Sequence, residues 1–381
     1  MMTASEHLHA RLVGKPGSRD RLNTPALVLD LDVFEANVAA MATFARAHNL
    51  ALRPHAKTHK SADVARAQIG AGAVGLCCAK LGEAEALAVE GIDNLHLTSP
   101  IVTAPAIERL VALNKRSAGL SVVADHPCNV DALAAAARDH RPLRVLVDID
   151  PGIRRTGVAS LDDAVALARR IAGHPSLAYG GVQFYCGVQQ HIASYSDRRA
   201  AIADRTAYLR SIIDALTAEG LAPAVVTGGG TGTHAIDAEL GVLTELQAGS
   251  YIFMDREYGD CALTPDGEIS FTTALMVDAR VISANAPGMA TIDAGLKAFS
   301  TDAGPPPVLD GADRACRYIF MGDEHGAIAA PDGHAAPPLG TRVTLATPHC
   351  DPTVNLYDSY HVVRGNTLVA IWPITARGRS A

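Results

Sequence analysis

Lysine is scarce in this 381-residue chain: there are six, at positions 15, 57, 60, 80, 115 and 297, and arginine supplies the rest of the basic charge. Chemistry that needs a lysine amine therefore has few places to occur. There is no apolar run of the ~18 residues needed to span a bilayer, so no transmembrane helix is expected. There is no basic run either, and the formal net charge is -7. Neither nucleic acid nor an anionic membrane is an expected partner. The seven cysteines (77, 78, 128, 186, 261, 316 and 350) are odd in number and lack metal-finger spacing. That usage fits a reduced, cytoplasmic protein. The segment from Met1 to Asp20 is polar and mixed in charge, unlike a signal peptide. Internal repeats and low-complexity tracts are missing as well.

What is present is an alternation. Short apolar, β-branched runs near 50–55, 73–78, 94–98, 119–124, 143–149, 179–185, 223–227 and 245–249 are separated by helical patterns such as LGEAEALAVEGI and LDDAVALARRIAG. Ser160, ahead of Asp162 and Asp163, is a plausible helix cap. Strand–helix alternation implies parallel pairing with right-handed crossovers, and eight units predict a closed (β/α)₈ barrel. A doubly wound open sheet is the competing arrangement. Two regions do not fit the barrel. ALVLDLD at 26–32, followed by a helix at about 32–48, makes a ninth strand. After about residue 268 the helical period disappears, and runs such as FTTALMVDARVIS, TRVTLATP and SYHVV predict antiparallel β-structure. The expected organisation is an N-terminal segment (1–45), a barrel (46–265) and a C-terminal β-domain (266–381) that takes in the extra first strand.

Several segments could carry chemistry. In RPHAKTHK, Lys57 follows an apolar strand, where barrel enzymes place catalytic groups. A lysine amine there, partly desolvated and near other cations, can attack a carbonyl. A solvated lysine at a strand end is the plainer alternative. Thr227 to Thr233, TGGGTGT, follows the seventh barrel strand, and Gly249-Ser250-Tyr251 follows the eighth. Glycines such as Gly229 and Gly230 let backbone N–H groups approach a phosphate, and the Thr231 and Ser250 hydroxyls add donors. Barrels often build phosphate sites from these two loops. Arg155, in an Arg-Arg-Thr-Gly loop after the strand ending Asp148-Ile149-Asp150, can hydrogen-bond a ring nitrogen or a carboxylate. Alternation puts Gln183 and Tyr185 on one face, where the tyrosine could pack on a flat cofactor or serve as ordinary core. His349 and Asp351, flanking Cys350, would project to one side of an extended chain and could grip a divalent cation. Asp323-Glu324-His325 is a weaker acidic cluster. The adjacent Cys77 and Cys78 are explained as small buried residues.

Taken together, TPALVLDLDVFEANV, RPHAKTHKS, TGGGTGT, ELQAGSYIFMD, IDAGLKA, DEHG, HCDPTVNLYD and WPITARG are specific. From about Thr24 to Gly378 the chain resembles the D-threonine aldolase / D-3-hydroxyaspartate aldolase / D-serine dehydratase family, which has the alanine-racemase-like fold. The resemblance implies that the ninth strand belongs to the β-domain. It implies pyridoxal 5'-phosphate held as a Schiff base by Lys57, with Arg155 beside the ring nitrogen. It also implies phosphate contacts from Thr231, Gly249 and Ser250 with Tyr258 nearby, a divalent metal on His349 and Asp351, and a homodimer. The segments depart from the family pattern at Ala79, where glutamine is common, and at Thr98-Ser99-Pro100.

The expected activity is cleavage of a D-3-hydroxy amino acid to glycine and an aldehyde, with His191 or a metal-bound hydroxide taking the β-hydroxyl proton. Mn²⁺ or Mg²⁺ is favoured over Zn²⁺ because Asp351 offers a hard oxygen. The alternative within the family is a dehydratase in which Lys57 removes the α-proton. A racemase would want a second base on the opposite cofactor face, which the sequence does not locate. A non-catalytic cofactor carrier would resemble the barrel alone.

Overall fold

The computed structural model describes residues 8–266 and 271–381. Eight strands form one parallel sheet: β2 (Ala51–Leu52), β3 (Leu76–Cys78), β4 (Leu95–Leu97), β5 (Ser121–Ala124), β6 (Leu143–Ile149), β7 (Leu177–Phe184), β8 (Val225–Gly228) and β9 (Glu245–Leu246). Their order, β2-β9-β8-β7-β6-β5-β4-β3, is sequential with β9 folded back beside β2. A parallel bridge between His55 and Cys77 joins the first and last strands, so the sheet curls into a barrel. Strands covered on both faces read as continuous apolar runs, as in β6, where six of seven residues are buried. The predicted cap is found on one of the intervening helices. At the helix Leu161–Gly173, Ser160 accepts a hydrogen bond from the Asp163 amide.

Among the described residues the second sheet has nine strands: β1 (Ala26–Asp30), β10 (Leu275–Ala286), β11 (Met289–Ile292), β12 (Val308–Asp310), β13 (Arg317–Phe320), β14 (Gly326–Ala329), β15 (Arg342–Ala346), β16 (Ser359–Arg364) and β17 (Thr367–Pro373). The ninth apolar run is thereby accounted for. β1 pairs antiparallel with β10 on one side and parallel with β16 on the other, so this otherwise antiparallel sheet contains one parallel ladder. The segment ahead of β1 packs on the sheet through a small cluster that includes Leu12, Leu22, Val28 and Met276. The Arg19 guanidinium there meets the buried Asp278 carboxylate at 2.8 Å.

The helix Leu31–Ala47 joins the two sheets. Asp30 caps it by accepting from the Val33 amide, and Phe34, Val38, Met41 and Ala45 form its buried face. Midway along, Asn37 Nδ2 donates to Ile252 O at 3.2 Å, beside the barrel, and to Thr272 O at 2.7 Å, at the entry to the β-domain. One continuous core runs from the barrel into the second sheet. The barrel mouth therefore faces the β-domain at a fixed distance.

Candidate active site

Lys57 lies in a short 3₁₀ turn, Ala56–Thr58, immediately past β2. Its backbone amide donates to His55 Nδ1 at 3.3 Å, so the turn is closed by the histidine two residues earlier. A cleft of about 280 Å³ opens above it, lined by His55, Lys57, Thr98, Arg155, Gln183 and Tyr185 among others. Gln183, in β7, and Tyr185, just past its end, both line the cleft, as alternation predicts. The Arg155 guanidinium sits 5.4 Å from the centre of the Tyr185 ring. Ala79 and Thr98, both departures from the family pattern, also line the cleft. Thr98 Oγ1 takes up a polar role there, donating to Cys78 O at 3.3 Å and meeting His55 Nε2 at 3.2 Å.

Beneath the cleft the barrel interior is polar, a feature no local pattern revealed. Gln183 Nε2 donates to Asp148 Oδ1 at 2.8 Å and to Thr98 O at 3.1 Å, while His96 Nε2 and Gln247 Nε2 both reach Gln183 Oε1. Gln247 Nε2 also donates to Thr227 Oγ1, which in turn donates to Glu245, the partner of Arg53. Burial pushes the Asp148 carboxyl up to about 6, against the opposing pull of Gln183. The same burial pushes His96 down to about 4. Such a network, once satisfied, fixes the side chains that rise from it into the mouth.

The loops after β8 and β9 are tied to each other. Thr231 Oγ1 accepts from the Tyr251 amide at 3.0 Å, which leaves the hydroxyl proton free to donate elsewhere. Thr231 and Ser250 are both buried. Gly249 permits the approach of the two loops to the Lys57 turn, since a Cβ there would lie 2.6 Å from Thr58 Oγ1 and 3.1 Å from His55 O. Gly229 adopts φ +69°, a left-handed conformation that favours glycine. The Gly230 amide is already used, donating to Thr233 Oγ1 at 3.2 Å, so what Gly230 contributes is room: a Cβ would collide with Gln190. A lysine at a strand end, a threonine proton without an acceptor among the described residues and a glycine-built floor fit the ring and phosphate of pyridoxal phosphate.

The β-domain supplies the opposite wall. His349 caps a short helix, Cys350–Val354, so Asp351 stands in a first helical turn. The expected extended conformation is not found; the helical turn nevertheless brings the pair together. His349 Nε2 and Asp351 Oδ2 are 3.8 Å apart, and Asp351 Oδ1 lies 3.2 Å from Lys57 Nζ. His349 Nδ1 contacts Asp302 Oδ2 at 2.7 Å, with Glu257 Oε2 further off at 3.7 Å. Burial opposes protonation of His349, but the Asp302 hydrogen bond and the Asp351 charge outweigh it and raise its pKa. Burial likewise opposes ionisation of Asp351, and Lys57 with His349 reverses the balance, holding the carboxyl below its usual range. Asp351 is the main cause of a raised Lys57 pKa.

His191, exposed on the turn Val188–His191, stacks on buried Tyr258 with ring centroids 4.7 Å apart. Partial burial, reinforced by His349 and Lys57, holds its pKa below the ordinary histidine value. Tyr258 is therefore at the rim beside His191. Asp323-Glu324-His325 lies apart, with Glu324 paired to Lys297 on the surface. Among the described residues no group of three or more His, Cys, Asp or Glu side chains is arranged around a common cation position. The His349–Asp351 pair can still reach one: its atoms are 3.8 Å apart, and closing by less than about 1 Å would bring them to the ~3 Å between adjacent ligands of an octahedral ion. Asp302, Glu257 and His55 went unrecognised as site residues. His55 could have been found from its position two residues before Lys57 on the same strand end.

A lysine at the mouth of a parallel barrel, faced by an acidic and histidine-bearing wall from an appended β-sheet, defines the alanine-racemase type of architecture. The family model described as alanine racemase, N-terminal domain, matches residues 29–257, and that described as a putative serine dehydratase domain matches residues 274–363. The chain belongs to this alanine-racemase-like family of pyridoxal-phosphate-dependent enzymes. It is 40 % identical over 370 residues to a 3-hydroxy-D-aspartate aldolase of Paracoccus denitrificans, covering 96 % of this chain and 95 % of that one. It is 40 % identical over 363 residues to a D-threonine aldolase of an Arthrobacter species, covering 94 % of each. The crystal structure of D-threonine aldolase from Filomicrobium marinum superimposes with a TM-score of 0.90 at 38 % identity, covering 95 % of this chain and 97 % of that one.

Proposed function

We propose that the protein is a pyridoxal-phosphate- and divalent-cation-dependent carbon–carbon lyase that cleaves D-3-hydroxy amino acids to glycine and an aldehyde. The observation that carries this reading is the meeting of two walls: Lys57 from the barrel and Asp351 from the β-domain, with His349 beside it, come within 3.2 Å of each other. The cofactor supplies an electron sink for the pair released when the Cα–Cβ bond breaks, and the cation supplies positive charge beside the β-oxygen. Lys57 is the attachment point. Arg155 would stand on the ring-nitrogen side, and Thr231, Gly249 and Ser250 would hold the phosphate with Gly229 and Gly230 in the supporting loop. His349 and Asp351 are the cation ligands. His191, kept neutral by its depressed pKa, takes the β-hydroxyl proton, and Tyr258 holds its ring in place. Tyr185 packs on the cofactor face beside Arg155.

The ligand chemistry favours Mn²⁺ or Mg²⁺ over Zn²⁺. The nearby thiol does not compete: Cys350 is fully buried, contacts Thr347 Oγ1 at 3.7 Å, and burial pushes its pKa well up. All seven cysteines are free, in keeping with a reducing, cytoplasmic setting. No described helix is long and apolar enough to cross a membrane. The family resemblance further supports a homodimer, which sedimentation of the cofactor-loaded protein would test. The activity is tested by incubating cofactor- and Mn²⁺-loaded protein with D-threonine, D-3-hydroxyaspartate and D-serine. Glycine plus aldehyde is the expected outcome; ammonia plus an oxo acid would establish the dehydratase instead.

A further inference from the structure

Asp302 lies outside every segment that points to the site, yet its carboxylate makes the shortest contact to the His349 ring, Oδ2 to Nδ1 at 2.7 Å. An ionised carboxylate only accepts, so the proton of this bond sits on Nδ1. A neutral ring with its proton on Nδ1 presents its lone pair at Nε2. That nitrogen is the one facing Asp351 Oδ2 at 3.8 Å. We propose that Asp302 is a positioning residue: it fixes the tautomer and ring plane of His349 and thereby raises the affinity of the His349–Asp351 pair for a divalent cation. The inference rests on the reading that this pair is the cation site.

Two further observations single out Asp302. Glu257, the other carboxylate near Nδ1, is 3.7 Å away, beyond hydrogen-bond range. And Asp302 belongs to a segment that also braces the backbone of the site. Ser300 Oγ donates to His349 O at 3.2 Å, and the Ser300 amide donates to Thr353 Oγ1 at 3.0 Å, inside the short helix that carries Asp351. The segment thus grips the helix at one point and the histidine ring at another. Asp302 reaches the ring from the solvent side, with its side chain 55 % exposed against 15 % for Asp351. It contacts the nitrogen remote from Asp351, so it orients a ligand and is not a third one. Outer carboxylates of this kind typically change metal affinity by about 10–100-fold.

The test is a Mn²⁺ titration of the cofactor-loaded wild type, Asp302→Asn and Asp302→Ala, with free Mn²⁺ followed by electron paramagnetic resonance. Asparagine keeps an oxygen that can accept from Nδ1 but loses the charge. Asp302→Ala should bind Mn²⁺ about 10–100-fold more weakly and Asp302→Asn less weakly than that, with the visible cofactor absorbance unchanged in both. Asp302→Ala affinity within about threefold of wild type overturns the inference, as does Asp302→Asn as impaired as Asp302→Ala. If Asp302→Ala fails to fold, Asp302→Asn carries the test: an intermediate loss supports the role and none overturns it. A wild type that binds no Mn²⁺ overturns the His349–Asp351 assignment itself, which separates the two failures.

Discussion

Asp351 Oδ1 lies 3.2 Å from Lys57 Nζ, although one stands in a short helix of the β-domain, the other in a turn at the barrel mouth, and almost 300 positions of chain separate them. The contact places a β-domain carboxylate within reach of whatever Lys57 holds. It also means that either residue can be altered with a defined effect on the other.

Replacing Lys57 with alanine should abolish the visible absorbance of bound cofactor and lower turnover by at least about 10³-fold, since covalent attachment and the amine are lost together. The absorbance spectrum and borohydride labelling check this. Reduction that marks Lys60 or Lys80 would show that the attachment point is elsewhere.

Thr231→Val should weaken the cofactor by about 10–100-fold, the cost of one hydrogen bond to a charged group. Turnover at saturating cofactor should change much less. Titration by absorbance measures the affinity directly, and an unchanged dissociation constant would remove Thr231 from the phosphate end.

The sequence made the barrel legible because parallel strands covered on both faces are written as short apolar runs, and β2 to β9 each overlap a predicted run, with β7 starting two residues before its run and β8 ending one residue after. The first strand was legible as an extra one; its place between β10 and β16 is a long-range pairing that no local pattern encodes. Lys57 stood out because lysines are few. Asp302 did not, because its partner His349 is 47 residues away, with four strands of the second sheet between them, and no local pattern links the two. The polar floor of Gln183, Gln247, His96 and Asp148 was hidden for the same reason: the four residues sit in or just past four different strands, and only the closed barrel brings them together. Spacing singled out His349 and Asp351 as a pair, and the two do lie together, though the helix that begins at Cys350 replaced the extended segment that the spacing implied.

His191→Asn should lower turnover about 10²–10⁴-fold, the usual contribution of a general base. Because the wild-type pKa is depressed, activity should hold at neutral pH and fall as the ring protonates below about 6.5. The variant should lose that acid limb. A pH profile that keeps the same limb after substitution would assign the base to another group.

A stability prediction concerns the β-domain. Buried His361 donates from Nδ1 to Leu27 O at 3.2 Å, and its Nε2 accepts from His9 Nδ1 at 2.8 Å. Burial, aided by His9, holds its pKa down at about 4. A histidine kept neutral by the fold contributes stability that is complete above the unfolded value of about 6.5 and is lost as pH falls toward 4. The advantage of wild type over His361→Gln should therefore shrink by on the order of 2 kcal/mol between pH 7 and 4.5. Urea titrations followed by the fluorescence of the single tryptophan, Trp372, read this. A difference that is constant with pH would mean that His361 does not titrate in this range.

The most direct test of the division of labour between the two walls is a chelator titration that records cofactor absorbance and glycine release in the same cuvette. The barrel is assigned the cofactor, and the β-domain pair is assigned the cation. Chelation should leave the absorbance in place while glycine release from D-threonine falls about 100-fold or more, and Mn²⁺ should restore it. Asp351→Ala should behave as the chelated enzyme does and resist rescue. Full-rate cleavage by chelated protein, or by Asp351→Ala without added metal, would contradict the account and leave His349 and Asp351 with a structural role only.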